Sequence, residues 1–261
     1  KWEATSTRRA DSSEIRKDSS MVTEIYEQTD IGMRRELNED SCRVCGFEDG
    51  GDSGFCILAD GMGGHNAGEV ASGMAVDIIS GELNKLPKDS DIDTVTANIA
   101  EAIDFANAKI YEMSLRNPEQ AGMGTTTVIV YSCGGRICIA NIGDSRAYLV
   151  NKKEICRMTI DHSVVEQLIR SGSITREDAK VHPDKNIITR ALGTEEYVDA
   201  DFFDYDAEDG DVILLCSDGL TEMVSEEEIQ AVVNSAESMK QAVENLISRA
   251  NENGGVDNIT V

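Results

Sequence analysis

Four aspartates stand in four short, separated contexts. They are Asp40 in Asn38-Glu39-Asp40, Asp60 in Ala59-Asp60-Gly61-Met62-Gly63-Gly64-His65, Asp218 in Ser217-Asp218-Gly219 and Asp257 in Asp257-Asn258-Ile259-Thr260. Each adjoins what reads as a strand end, an odd place for a charge unless several carboxylates converge on hard divalent cations. The chain has only three histidines, none paired at ligand spacing, which argues against a zinc site of imidazoles or thiolates. Carboxylates with backbone carbonyls and water select magnesium or manganese. Two such ions side by side can clamp a phosphoryl group and make water a nucleophile at neutral pH. Taken singly, each aspartate is an ordinary turn or cap residue, and Asp60-Gly61 and Asp218-Gly219 are common turn dipeptides. Their joint placement carries the metal reading. Converging carboxylates repel one another and hold protons more tightly, and a bound cation relieves both effects.

Two other motifs resolve into plainer chemistry. Gly61-Met62-Gly63-Gly64-His65-Asn66 follows a strand pattern and opens a helix, as a dinucleotide loop does. Its third small position falls on Asn66, however, and the flanking chain is not a βαβ unit. The glycines suit a backbone brought close to an ion, with the Gly61 carbonyl facing it. Asp89-Ser90-Asp91-Ile92-Asp93-Thr94 begins like a calcium loop but has Thr94 at the glycine position and Ala100 at the closing acid. A helix N-cap with first-turn acids accounts for it.

Strand patterns run over about 22–32, 41–48 and 54–60. Phe55-Cys56-Ile57-Leu58-Ala59 is continuous enough to be buried on both faces. Two helices follow. One starts near Asn66 with Ala67, Val70, Ala71, Met74, Ile78 and Ile79 at helical spacing; the other carries Val95, Ile99, Ala102, Ala106, Ile110 and Met113 and stops near Asn117-Pro118. A β block covers 125–131, 136–141, 147–150 and 155–159, with turns at Gly134-Gly135 and Asn151-Lys152-Lys153. Residues 161–195 are the least regular. Strands near 197–205 and 211–216, helices near 225–234 and 237–251, and a strand from Val256 complete the order. Strands in runs joined by hairpins argue for antiparallel sheets with helices outside. Residues 1–20 read as a polar tail, and 21–261 as one domain without internal repeat.

Composition narrows the partners. With 24 basic and 49 acidic residues the chain carries a net charge of −25. Bulk electrostatics therefore exclude binding to nucleic acid or an anionic membrane, and a phosphate site must bring its own cations. No stretch approaches a membrane span. The seven cysteines are odd in number, and Cys42-x-x-Cys45 has neither a second pair nor a nearby histidine. They read as buried thiols of a reducing cytosol, which gives a cytoplasmic expectation. Nothing demands more than a monomer.

Six ordered motifs then point to a family. They are Gly32-x-x-Arg35-x-x-Asn38-Glu39-Asp40, Asp60-Gly61-Met62-Gly63-Gly64-His65, Met123-Gly124-Thr125-Thr126, Gly143-Asp144-Ser145-Arg146, Ser217-Asp218-Gly219-Leu220 and Asp257-Asn258-Ile259-Thr260. Over about residues 24–261 the chain closely resembles the metal-dependent type 2C serine/threonine protein phosphatases. Asp161-His162-Ser163 and Ile188-Thr189-Arg190-Ala191-Leu192-Gly193 resemble the bacterial branch. The resemblance implies an α+β fold, a four-layer α-β-β-α sandwich of two antiparallel sheets flanked by helices, with the metals at one end. It implies that Asp60 bridges two Mn²⁺ or Mg²⁺ ions, with the Gly61 carbonyl on one of them. Asp218 and Asp257 complete the first ion; Asp40 serves the second, directly or through water, with Glu39 as its substitute. Asp144 resembles the ligand of a third, weaker ion shared with Asp218. Arg35 matches the phosphate-binding arginine, with Arg34 the alternative in a shifted register. His65 is the candidate general acid, and His162 is read as organising a helix start. Residues 163–195 match the family's flap. Phosphorylated proteins are the implied substrates, opposed by a serine/threonine kinase. The rival readings are a catalytically weak module that binds a phosphoprotein and an acidic calcium-buffering protein.

Overall fold

Strand β3 (Gly54–Met62) shows why this architecture needs two covering layers. Side chains alternate across a strand, so Phe55, Ile57 and Ala59 share one face and Cys56, Leu58 and Asp60 the other. Phe55, Ile57, Leu58 and Ala59 are all buried. In the computed structural model, which describes residues 23–47, 53–64, 67–87 and 89–261, β3 pairs with β2 (Asp40–Gly46) and with β5 (Thr127–Cys133). The sheet continues through β6 (Arg136–Ile142) to β9 (Asp201–Asp206), and the short β4 (Gly124–Thr125) pairs with the end of β3. A second sheet holds β10 (Val212–Cys216), β7 (Arg146–Val150) and β8 (Ile155–Arg157) in that order. Beside it, β1 (Thr29–Asp30) pairs with β11 (Ile259–Thr260), and the Ser217 N–H donates to the Thr260 carbonyl at 3.1 Å, joining this ribbon to the end of β10. Every pairing is antiparallel.

Three apolar layers follow from the alternation. Helices α1 (Ala67–Leu83) and α2 (Ile92–Arg116) press Ala71, Ile79, Ile99 and Ile110 onto Ile57, Ile129 and Ala140 of the first sheet. Between the sheets lie Leu58, Val128, Val130, Ile139 and Ala147, with Ile213 and Leu215 against them. On the far side, α6 (Glu226–Ser235) and α7 (Met239–Glu252) set Ile229, Leu246 and Ile247 against Tyr148 and Leu214. Each fully buried side chain of this size contributes about 1.5–3 kcal/mol. The α-β-β-α sandwich expected from the resemblance is what forms.

Local signals are equally direct. The Asp91 carboxylate caps α2 by accepting the Thr94 N–H at 2.8 Å, as the acid-rich stretch 89–94 suggests. Gly134 and Gly135 take φ of 58° and 81° in the β5–β6 hairpin, values that fit a type I′ turn. The irregular stretch supplies only α3 (Val164–Arg170) and α4 (Arg176–Lys180). Two strands start later than the sequence suggests. The ninth begins at Asp201, and the last at Ile259 in place of Val256, because residues 254–258 form a glycine turn and an Asp257–Asn258 loop. Among the described residues of the 22–32 pattern only Thr29–Asp30 is strand, since its partner β11 is itself two residues long. The expected tail, 1–20, and His65 lie outside the described residues. Among the described residues no helix is long and apolar enough to cross a membrane.

Candidate metal centre

The sheet ends bring the separated motifs to one place. Asp40 opens β2 directly opposite Asp60 of β3. Asp144 sits in the turn between β6 and β7, Asp218 opens the one-turn helix α5 (Asp218–Thr221), and Asp257 precedes β11. Asp60, Gly61, Asp144, Asp218, Asp257 and Arg35 all line one cavity of about 240 Å³, together with Glu39, Thr126, Asn186, Ile188 and Asn258. Asp40 stands behind this wall, only 7% exposed, while Glu39 forms part of it. Arg35 is on the lining and Arg34 is not, so the unshifted register describes the cavity. Between the sheets lies a larger, mostly apolar cavity of about 630 Å³, with none of the site aspartates on its wall.

Backbone closeness explains the glycine after Asp60. A Cβ on Gly61 would fall 2.1 Å from the Gly68 carbonyl oxygen and 2.6 Å from that of Glu39. Gly32 has φ of 79°, and a Cβ there would sit 2.1 Å from the Asp257 carbonyl oxygen. Only glycine lets the Arg35 loop lie against the Asp257 loop in that conformation.

Hydrogen bonds fix the acids and their backbone. The Asp60 N–H donates to Thr126 Oγ1 at 2.9 Å, and its carbonyl accepts from the Thr126 N–H and Thr125 Oγ1, both at 2.9 Å. Asp40 Oδ2 accepts from Ser217 Oγ at 2.8 Å and Thr260 Oγ1 at 2.6 Å. Asn258 is a three-way clamp. Its Oδ1 accepts the Glu39 N–H at 2.9 Å, and its Nδ2 donates to the Ile31 and Leu37 carbonyls at 3.0 and 2.9 Å. Arg35 Nη2 donates to Asp257 Oδ2 at 2.7 Å. Ser217, Thr260, Thr126 and Asn258 were not singled out from sequence, although all four lie inside the quoted motifs or beside the named aspartates.

Electrostatically the centre is under-satisfied. Glu39 Oε1, Asp40 Oδ1 and Asp218 Oδ1 are buried without a hydrogen-bond donor, and a buried anionic oxygen in that state is costly. Burial, then the charges of Asp40, Asp218, Asp144 and Asp257, holds Asp60 well above the usual carboxylate range. Burial, then Asp144 and Asp257, does the same for Asp218. Burial pushes Asp40 and Asp144 up to about 6. Among the described residues no three carboxylate, thiol or imidazole groups already close on a single point; the acids ring the cavity. An oxygen-only donor set with orphaned anionic atoms fits hard divalent cations, magnesium or manganese, and not zinc.

Behind Asp144 lies a buried ionic cluster. Arg146 Nε and Nη2 grip Asp161 at 3.1 and 2.7 Å, and Arg157 spans Asp161 and Glu166 at 3.2 and 3.1 Å. His162 is not the cap of α3; Ser163 is, accepting the Glu166 N–H at 3.2 Å. The buried His162 ring instead accepts the Gly143 N–H at Nδ1, 3.1 Å away, and sets Nε2 3.2 Å from Asp201 Oδ2. That pattern assigns the hydrogen to Nε2, and burial lowers the ring's pKa, consistent with a neutral imidazole. His162 therefore braces the turn that carries Asp144.

Comparison with known proteins gives the family. The family described as Protein phosphatase 2C matches residues 33–259. The "Serine/threonine phosphatase stp" of Listeria monocytogenes is 41% identical over 234 residues, covering 90% of this chain and 92% of the relative. "Protein phosphatase PhpP" of Streptococcus pneumoniae is 39% identical over 241 residues, 91% and 95% of the two chains. The solved S. agalactiae serine/threonine phosphatase superposes with a TM-score of 0.83 at 37% identity, covering 90% of this chain and 97% of its own. The catalytic domain of the phosphatase PstP, solved with two manganese ions, gives 0.78 at 34% identity, with 90% and 94% covered. By match length, identity and shared fold, this chain belongs to the protein phosphatase 2C family of metal-dependent protein phosphatases.

Proposed function

We propose that the protein hydrolyses phosphoserine and phosphothreonine in other proteins at a binuclear manganese or magnesium centre. The observation that carries this reading is the ring of orphaned, buried carboxylate oxygens around a cavity with Arg35 on its wall. Asp60 would be shared by two ions, with the Gly61 carbonyl on one of them. Asp218 and Asp257 would complete the first, and Asp40 would serve the second, directly or through water, with Glu39 as its substitute. Asp144, together with Asp218, suits a third, weaker ion. Ions held by these residues would supply charge neutralisation at the phosphoryl oxygens and would acidify water for attack on phosphorus.

The chain's own groups do the rest. Arg35 gives one donor to Asp257 and keeps its guanidinium side chain 46% exposed, so its planar fork has donors left for two phosphate oxygens. His65 is retained as the proton donor to the leaving oxygen. Cys216 is no alternative nucleophile: it is fully buried and its thiol is pushed up to about 12 by burial. Residues 163–195, which bring Asn186 and Ile188 to the cavity, would act as the flap that meets the substrate. A serine/threonine kinase acting on the same targets would oppose the enzyme.

The test is hydrolysis of p-nitrophenyl phosphate and a phosphothreonine peptide, with and without Mn²⁺ or Mg²⁺. The wild type is expected to turn over only with metal, and Asp218→Ala to lose at least about 100-fold in kcat/KM. A folded, metal-loaded wild type that turns over neither substrate transfers the reading to a phosphoprotein-binding module.

A further inference from the structure

We infer that the rim beside Arg35 selects phosphorylated segments in which an apolar residue flanks the phosphorylated one and acidic neighbours are absent. The inference rests on the cavity being the phosphate site. Most large apolar side chains of this fold are buried, yet Met33 is 66% exposed, Val256 42% and Ile31 39%. All three belong to the two loops that present Arg35 and Asp257. The Met33 N–H donates to the Gly255 carbonyl at 2.7 Å. A Cβ on Gly255 would lie 2.9 Å from Met33 Cγ, and one on Gly254 would lie 3.9 Å from both Met223 Sδ and Val256 Cγ1. Met33, Val256 and the half-buried Met223 thus gather around the Gly254–Gly255 turn, and this apolar ledge adjoins the loop of Asp257.

The ledge is held in place. Asn258 bonds the Ile31 and Leu37 carbonyls on either side of Met33, and Arg35 bonds Asp257. An apolar cluster kept exposed on braced loops marks a contact surface. Its occupant is the substrate chain. A residue whose phosphate reaches Arg35 carries its neighbours about 3.3–3.6 Å per residue away, a span comparable with the two residues that separate Arg35 from Met33 on the same loop. Methionine is unbranched and adaptable, so the ledge accepts several apolar side chains and not a single one. Charge sets the second preference. Glu39 lines the cavity and the whole chain carries −25, so acidic flanks are repelled.

The experiment compares kcat/KM, with Mn²⁺, for phosphothreonine peptides flanked by Leu, Ala or Glu. It uses the wild type, the Met33→Ala/Val256→Ala double variant and the control Leu115→Ala, an exposed apolar residue in the last turn of α2. The wild type is expected to favour Leu over Ala by about ten-fold, mostly through KM, and Ala over Glu. The double variant should bring the Leu/Ala ratio close to one while Leu115→Ala keeps it. Equal wild-type rates on Leu and Ala peptides overturn the ledge and leave the phosphatase reading intact. A wild type that also fails on p-nitrophenyl phosphate sinks both. A dimer in sedimentation that dissociates on Met33→Ala would give the ledge to a second copy and likewise overturn the inference.

Discussion

Burial lifts Asp40 and Asp144 from an ordinary 3.8 to about 6 and holds Asp60 and Asp218 well above that ordinary value, with neighbouring carboxylates adding to the effect in each. The folded chain therefore holds these protons more tightly than the unfolded one. The stability they contribute is complete below 3.8 and is lost as pH rises through about 6. Metal-free protein should accordingly melt at a higher temperature near about pH 5 than near about pH 7.5. Added Mn²⁺ should raise Tm more at the higher pH, where the carboxylates are ionised. Thermal scans in chelator and in Mn²⁺ check both; a metal-free Tm that climbs between those pH values would contradict the buried-carboxylate account. The aspartates themselves were legible because each stands in a short motif with glycine or asparagine. Their donors were not. Thr260 reaches Asp40 across 220 residues of sequence and Ser217 across 177, and a hydroxyl in a strand carries no sign of its partner until the register is known. Asp40 and Glu39 show the same limit, since sequence offers both and only packing places one on the wall and one behind it.

Helices and strands differed in how plainly they could be read. The stripes of α1 and α2 mark their cores because helical periodicity is a property of the helix alone. Strand limits depend on the partner, which is why β1 and β11 shrink to the two residues each that pair. The charged side chains of residues 146–166 were the hardest. Arg146, Arg157, Asp161 and Glu166 look like solvated charges on strands and a short helix, yet they interlock beneath the Asp144 turn, with Asp161 only 8% exposed. Removing Asp161 leaves the largely buried Arg146 without its carboxylate partner and takes one of two from Arg157. Asp161→Ala is thus expected to cost about 3–5 kcal/mol in urea unfolding. A loss below about 1 kcal/mol would show that the cluster relaxes into water. The Asn107 side chain works similarly from α2, accepting the Gly193 N–H at 2.8 Å and donating to the Glu195 and Glu196 carbonyls, both at 3.1 Å. It holds the strand-like contact of Leu192 with Thr125, and through Thr125 the backbone of Asp60.

Across the whole molecule the net charge of −25 opposes the approach of a phosphorylated ligand. Raising monovalent salt should therefore increase kcat/KM for an acidic phosphopeptide, with most of the gain complete near about 0.15 M, where the screening length is about 8 Å. Stopped-time assays at constant Mn²⁺ measure this, and a rate that falls with salt would mean that the cations around Arg35 govern encounter. Composition supplied the sign of this field; only the fold shows that the acids converge on one cavity. The pairing of Thr29–Asp30 with Ile259–Thr260 has one more consequence. The cavity draws on residues from Arg35 to Asn258, so a nascent chain emerging at about 5–20 residues per second holds most of the needed acids long before the site exists. No segment made early holds the whole cavity lining. The loops of Arg35 and Asp257 are brought side by side by the pairing of Thr29–Asp30 with Ile259–Thr260, and that pairing waits on the latest of these residues to be made.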